Sequence, residues 1–436
     1  MKVLKFGGTS VGSAERMKEV AALVNSNDPK IVVLSAMSGT TNALVEITNY
    51  LYKKNHEGAL DQILMLEKKY QETVGELYNT EEYKAKGKEL IHSHFNYIKS
   101  FTQDMFTIYE EKAILAQGEL ISTALFHFLL QEQGVKSALI PALNFMRVDK
   151  DNEPDLFYIK ENIQREIAEK KEANVYITQG FICRNSYGEI DNLKRGGSDY
   201  TASLVGAGIQ AEEIQIWTDI DGMHNNDPRY VENTYPLAHL SFDEAAELAY
   251  FGAKILHPSS ILPAKLANIP VRVKNTMQPD AEGTLVSSKS GSEGIKAIAA
   301  KDSITAVKIK SGRMLLAHGF MRKVFEIFEI YKTSIDMITT SEVAVSLTID
   351  DTQNLTKIVE ELQKYGSVEV DHDLSIICIA GNFIAESKGY ALKIFDALQT
   401  IPIRMISYGG SKHNVSVLIN TSDKKAALQA LNEKLF

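Results

Sequence analysis

At 436 residues the chain is long for a single hydrophobic core, and its 44% hydrophobic and 24% charged content is that of a folded globular protein of two or three domains. A net charge of −9 disfavours nucleic acid as a partner, because such binders need a concentrated basic surface. Cys183 and Cys378 are too few and too far apart for a disulfide framework or a zinc site. Met1-Lys2 leads straight into a strand without a signal peptide, and no apolar run is read as reaching the roughly 20 residues that span a bilayer, so a cytoplasmic protein is expected.

The first element is a short strand, Lys2–Phe6, that breaks into Gly7-Gly8-Thr9-Ser10. Paired glycines let backbone N–H groups approach a ligand, and Lys5 adds a full positive charge beside them. The lysine precedes the glycines, so this is not the P-loop pattern; on its own it reads equally as a phosphate cradle or as an ordinary strand-to-helix turn. Further candidate strands follow at Lys30–Ala36, Asn174–Phe181, Glu213–Thr218 and Pro270–Lys274. With helical patterns between them, they imply an α/β body with a mainly parallel sheet. Residues 42–133 read as mostly helical, and Ile114, Ile121, Leu125 and Phe128 share one face of the last helix.

Arg195-Gly196-Gly197-Ser198-Asp199 is a second glycine-centred turn, with Ser198 expected as the cap of the helix that follows. It suits a carboxylate or phosphate, or else is a capped helix with a surface arginine. Trp217-Thr218-Asp219 puts a hydroxyl and a carboxylate at a strand's carboxyl end, where ligands collect in open α/β sheets. Asp227-Pro228-Arg229 follows in a loop, then Phe251-Gly252-Ala253-Lys254 on a helix, where a lone lysine is ordinarily just exposed. His92 and His94 lie in a polar helix without nearby cysteines and read as solvated, and Trp217 as core.

Residues 287–294 are small and polar, a linker or exposed turn. Beyond them Gly319, Phe320, Val324, Phe325 and Phe328 recur as Gly389, Tyr390, Ile394, Phe395 and Leu398, and Val345, Ser346, Leu347 and Ile349 as Val415, Ser416, Val417 and Ile419. The shared offset of 70 at both ends marks a duplicated α+β unit suited to regulation or assembly.

These motifs, with Ser35-Ala36-Met37-Ser38-Gly39-Thr40-Thr41-Asn42, Gly118-Glu119-Leu120, Gly180-Phe181 and Phe251 to Pro258, stand in an order and spacing that resembles the aspartate kinases of the amino-acid kinase superfamily, essentially from end to end. The tail resembles paired ACT modules through Ile338 to Glu342 and Ser407 to Ser411. The resemblance implies an α/β amino-acid kinase fold over residues 1–290, followed by two ferredoxin-like ACT modules at 303–375 and 376–436, the second able to draw on residues 291–305. It implies ATP-dependent phosphorylation of the β-carboxylate of L-aspartate to 4-phospho-L-aspartate, the first step toward lysine, threonine and methionine. Mg²⁺ would be held mostly by phosphate oxygens and water, with no dedicated protein metal site.

By the same resemblance Lys5 stabilises the transferring phosphoryl group, Gly7 and Gly8 cradle it, and Asp199 orients Lys5. Arg195 holds the α-carboxylate of the substrate, Glu119 its ammonium, and Thr41, Phe181 and Ser198 complete the pocket. Ser35, Thr218, Asp219, Arg229 and Lys254 contact the nucleotide; His224 stands where many relatives have a tyrosine. Met314, Gly319, Phe320, Ile335, Asp336, Ser341 and Glu342 resemble the effector site of lysine-sensitive forms, with Ala317 in place of a serine. Lysine is the expected effector and threonine the second choice. A homodimer through the ACT modules, or a tetramer, and a monofunctional enzyme ending at Phe436 are expected. The alternatives are a kinase for acetylglutamate, glutamate or a nucleoside monophosphate, and a non-catalytic amino-acid sensor.

Overall fold

The computed structural model describes every residue except 104, 194–195, 253–255, 290, 292, 313–317 and 383–385. Two compact units emerge: one of Met1–Met223, Ala238–Leu240 and Leu256–Ser288, the other of His224–Leu237, Ser241–Ile255 and Lys289–Phe436.

The strands of the first unit are β1 (Lys2–Phe6), β2 (Lys30–Leu34), β3 (Ser137–Leu139), β4 (Val175–Gln179), β5 (Ile182–Arg184), β6 (Ile190–Asn192), β7 (Ile214–Thr218), β8 (His239–Ser241), β9 (Val271–Asn275) and β10 (Thr284–Ser287). Eight of them form one sheet in the order β3-β4-β2-β1-β7-β9-β10-β8, while β5 and β6 make a separate hairpin. From β3 to β9 every pairing is parallel, and only β10 is antiparallel to β9. Val3, Leu4 and Phe6 of β1 and every residue of β2 are buried, so both faces of these central strands are covered.

The first helices of this unit are α1 (Ala14–Val24), α2 (Thr40–Tyr52), α3 (His56–Leu77), α4 (Glu81–Ser100), α5 (Ile108–Glu132), α6 (Ala142–Phe145), α7 (Leu156–Glu169) and α8 (Gly197–Ile209). α5 starts at a capping box of Thr107 and Glu110 and buries Ile114, Ile121 and Leu125 in the main core, with Phe128 packed against it. It is the one helix among the described residues long and apolar enough to cross a membrane, contrary to the expectation of no such run, and 78% of its apolar window is buried inside the fold. His94 also departs from its expectation. It is partly buried, bonds Gln117 at 2.6 Å, and burial holds its imidazole below the ordinary histidine range.

In the second unit α9 (Phe242–Tyr250) opens on another capping box, Ser241 with Glu244, while α10 (Pro258–Leu266) returns to the first unit. Then come β11 (Gly294–Lys310), α11 (Phe320–Ile330), β12 (Ile338–Thr340), β13 (Ala344–Ile349), α12 (Leu355–Gln363), β14 (Ser367–Asn382), α13 (Tyr390–Ala397), β15 (Met405–Tyr408), β16 (Asn414–Asn420) and α14 (Lys424–Leu435). Their sheet order is β12-β13-β11-β14-β16-β15.

The repeat has a structural counterpart. Gly319 and Gly389 each cap a helix from the left-handed region, at φ 83° and 90°. β11 and β14 run antiparallel over nearly their whole length, so Gly294–Lys301 pair with residues 376–382 and Ile304–Lys310 with residues 367–374. One apolar cluster lies around Ile377, Val417 and Leu428, the other around Val307, Leu347 and Ile358.

Candidate active site

β1 lies between β2 and β7 and delivers Lys5 to the carboxyl edge of the sheet. The turn beyond it is tied by its own backbone, for Ser10 N–H and Val11 N–H both donate to the Gly7 carbonyl, at 3.0 and 3.3 Å. The Ser10 hydroxyl is anchored to that of Thr276, 2.8 Å away in the interior. The Lys5 ammonium stands 2.7 Å from Asp199 Oδ1, and both side chains are mostly withdrawn from water, 13% and 18% exposed. A charge so paired is held in one place instead of sweeping through solvent.

Asp199 sits in the first turn of α8, whose entry differs from the expected one. Gly196, at φ 64°, caps the helix and Gly197, at φ 46°, is already in it. The two positive φ values turn the chain in two residues before Ser198, which frees the Ser198 hydroxyl from capping. That hydroxyl instead accepts from Ser35 Oγ at 2.8 Å. Gly180 permits this approach, since a Cβ there would stand 2.3 Å from Ser198 Oγ and 2.8 Å from its Cα. Phe181 follows at φ 67°, and its N–H donates to Thr201 Oγ1 at 2.9 Å.

Glu119 projects from α5 and is 4% exposed. Its Oε1 accepts from the Ala36 N–H at 3.2 Å, while Oε2 meets no hydrogen-bonding partner among the described residues. Burial pushes its carboxyl up to about 7, against a weaker downward pull from the Ala36 N–H. A buried carboxyl with one open oxygen is an attractive place for an ammonium. Gly8, Ser35, Thr41, Glu119, Phe181 and Ser198 line a common open cavity of about 410 Å³.

Thr218 and Asp219 end β7, where the Thr218 hydroxyl donates to Asp219 Oδ1 at 3.1 Å and the Thr218 carbonyl accepts from Thr276 N–H at 2.8 Å. Arg229 belongs to the second unit, with its guanidinium on Asp227 at 2.6 Å and 78% exposed. Arg195, Lys254, Met314 and Ala317 lie outside the described residues. Ser122 and Thr201 carried no assigned role, yet Ser122 Oγ donates to the Ser35 carbonyl at 2.8 Å and Thr201 holds Phe181 in its positive-φ conformation. The available signal was helical spacing: Ser122 follows Glu119 by three residues, on the same face.

Residues 1–275 match the amino acid kinase family and residues 377–435 the ACT domain. The chain is 34% identical over 458 residues to the lysine-sensitive aspartokinase 3 of Escherichia coli, an alignment covering 100% of this chain and 99% of that protein. The chain belongs to the aspartokinases of the amino acid kinase family. Its fold superposes on the crystal structure of E. coli aspartokinase III with aspartate and ADP (R-state), with a TM-score of 0.84, 32% identity and all of both chains covered. On the same enzyme with lysine and aspartate (T-state) the TM-score is 0.83 at 32% identity, covering 100% of this chain and 99% of that one.

Within this aspartokinase-family chain the second unit carries the remaining expected residues. Gly319 caps α11, Phe320 is buried, Ile335 is half-buried, and Ser341 and Glu342 are exposed. The Asp336 side chain is 1% exposed and paired with Lys301 at 2.7 Å. An open cavity of about 560 Å³ is lined by Thr339, Ser341, Lys308 and Lys310, among others. Among the described residues no three His, Cys, Asp or Glu side chains converge to hold a metal.

Proposed function

We propose that the chain transfers the γ-phosphoryl group of ATP to the β-carboxylate of L-aspartate and is feedback-regulated by an amino acid bound to its ACT region. The observation that carries this reading is the Lys5–Asp199 ion pair beside the cavity that Glu119 lines, with one carboxylate oxygen of Glu119 buried and without a partner among the described residues. The acceptor carboxylate is ionised at neutral pH, with a pKa near ~3.9, so no general base is required. The difficulty is to bring two anions together, and the site answers it with positioned charge.

Glu119 takes the substrate ammonium on its open oxygen, and Arg195 takes the α-carboxylate. Thr41, Phe181 and Ser198 shape the pocket, with the α8 N-terminus turned toward it. Lys5 neutralises charge building on the phosphoryl oxygens, Asp199 holds Lys5 in register, and the Gly7–Gly8 turn offers backbone N–H donors. Ser35, Thr218, Asp219, Arg229 and Lys254 receive the nucleotide. Mg²⁺ would be held mostly by the phosphate oxygens of ATP and water, and would supply charge neutralisation on the phosphates.

The kinase body is assigned to residues 1–290 and the ACT modules to 303–375 and 376–436, the second completed by residues 291–305. That completion is supported by the pairing of Gly294–Lys301 with residues 376–382. Lysine is the effector of choice and threonine the second. A homodimer through the ACT modules and a cytoplasmic location complete the reading, the latter in keeping with two buried free thiols.

The test is ATP- and Mg²⁺-dependent formation of aspartyl hydroxamate, with hydroxylamine trapping the acyl phosphate, with and without lysine or threonine. Product that depends on aspartate and is lost in Lys5→Ala supports the kinase. Folded protein that makes no product overturns it.

A further inference from the structure

The C-terminal end of α9 is fastened to the regulatory sheet at two points. Gly252, at φ 123°, lies so close to β11 that a Cβ there would stand 2.0 Å from the Ala300 carbonyl oxygen. Two residues earlier, the Tyr250 hydroxyl donates to Asp336 Oδ1 at 2.9 Å. The same oxygen takes the Lys301 ammonium at 2.7 Å, and Lys301 also reaches Asp350 Oδ2 at 2.9 Å. That ammonium lies 4.9 Å from the centroid of the Tyr250 ring, so the three groups form one cluster. All of these residues belong to the second unit.

The cluster is under-filled. A carboxylate has room for about four donors, yet Asp336 Oδ1 holds both of its partners, and Oδ2 is buried with none among the described residues. With 1% of the side chain exposed, Asp336 is closed to solvent, and its two partners, Lys301 and Tyr250, are the groups a cation would compete with. The two are not equally easy to move. Lys301 keeps a second carboxylate, Asp350, which is 42% exposed and remains available to it. For the Tyr250 hydroxyl, Asp336 is the hydrogen-bond acceptor at this site, and losing it frees the residue two positions before Gly252.

We propose that Lys301 and Tyr250 are internal occupants of the effector carboxylate Asp336, displaced by the ammonium group of a cationic amino acid, and that loss of the Tyr250 hydrogen bond passes effector occupancy to the Phe251–Gly252 turn. The inference rests on the effector reading above. Both groups set how tightly the effector binds, and Tyr250 alone passes its binding to the turn.

The full-length chain tests this by calorimetric titration with L-lysine alongside hydroxamate formation without lysine and at saturating lysine. Tyr250→Phe keeps the ring beside Lys301 and removes only the hydroxyl. It should tighten the lysine Kd by about threefold to tenfold, one competitor being gone, and lower the activity without lysine toward the inhibited level, because the bond whose loss reports occupancy is already absent. Lys301→Met should also tighten Kd, but inhibition should stay complete. A Tyr250→Phe protein with both Kd and lysine-free activity unchanged overturns the inference, and that variant decides alone where Lys301→Met fails to fold. A folded wild type that binds neither lysine nor threonine overturns the effector reading and this proposal together, whereas wild-type binding with an indifferent Tyr250→Phe overturns the proposal alone.

Discussion

Lowering the pH should weaken aspartate binding through Glu119 before it harms the phosphoryl-transfer groups. Burial lifts the Glu119 carboxyl from 4.5 to about 7. At about 1.4 kcal/mol per pH unit, this disfavours the carboxylate by about 3 kcal/mol. A substrate ammonium on the open oxygen supplies the missing partner, so only the ionised fraction binds. The aspartate KM should therefore be flat in alkali and climb as pH falls through 7, by about eightfold between about pH 7.5 and about pH 6.

Glu119→Gln should raise KM by roughly 10- to 100-fold and abolish the slope, because the amide does not titrate. Stability carries the opposite signature. The folded chain keeps the Glu119 proton up to about 7 and the unfolded chain releases it near 4.5, so this group's contribution falls as pH rises through that window. Without aspartate, the melting temperature of Glu119→Gln relative to wild type should therefore improve from about pH 5 to about pH 8. The assay is aspartate KM by coupled ADP release across pH, with thermal melts beside it. A wild-type KM flat through neutrality, or the same slope in Glu119→Gln, would refute the reasoning.

Three further outcomes follow from the same geometry. Lys5→Met should lower kcat by about 10²- to 10³-fold with KM for aspartate little changed, since its charge is needed as the phosphoryl group transfers. Asp199→Asn keeps that charge but loosens its anchor, so kcat should fall by roughly 10- to 100-fold; wild-type turnover would show that Lys5 is positioned by something else. Gly180→Ala puts a methyl 2.3 Å from Ser198 Oγ, which should cost about 1–3 kcal/mol in thermal melts and raise the aspartate KM. An unchanged melt would mean that α8 can shift without penalty.

The strands around Lys5 and Thr218 were legible because both are short apolar runs ending in glycines or hydroxyls, and their parallel pairing followed from the helices between them. The Glu119 and Phe181 assignments came from resemblance. No local pattern reveals that residue 119 will approach residue 36, whose N–H it accepts. The cap of α8 was misplaced to Ser198 because propensity favours a hydroxyl, whereas two consecutive positive-φ glycines start the helix earlier. His94 read as solvated from the polarity of its own helix, but Gln117 from α5 covers it. The Asp336 cluster was out of reach for the same reason, as its members come from α9, β11 and the regions flanking β12 and β13, up to 100 positions apart (250 to 350).

The strand exchange within the regulatory sheet has a consequence for how the chain is made. Gly294–Lys301 leave the ribosome first, but the residues they pair with, 376–382, are 75 to 88 positions downstream. Until these emerge, the early strand is an unmatched edge, and closing such a distant pairing is slow. A truncation product ending near residue 370 would keep that edge without its mate, and a piece starting near residue 376 would lack it. Neither half of the tail is therefore a free-standing part, and inserting a cleavage site between them should yield aggregates instead of two modules.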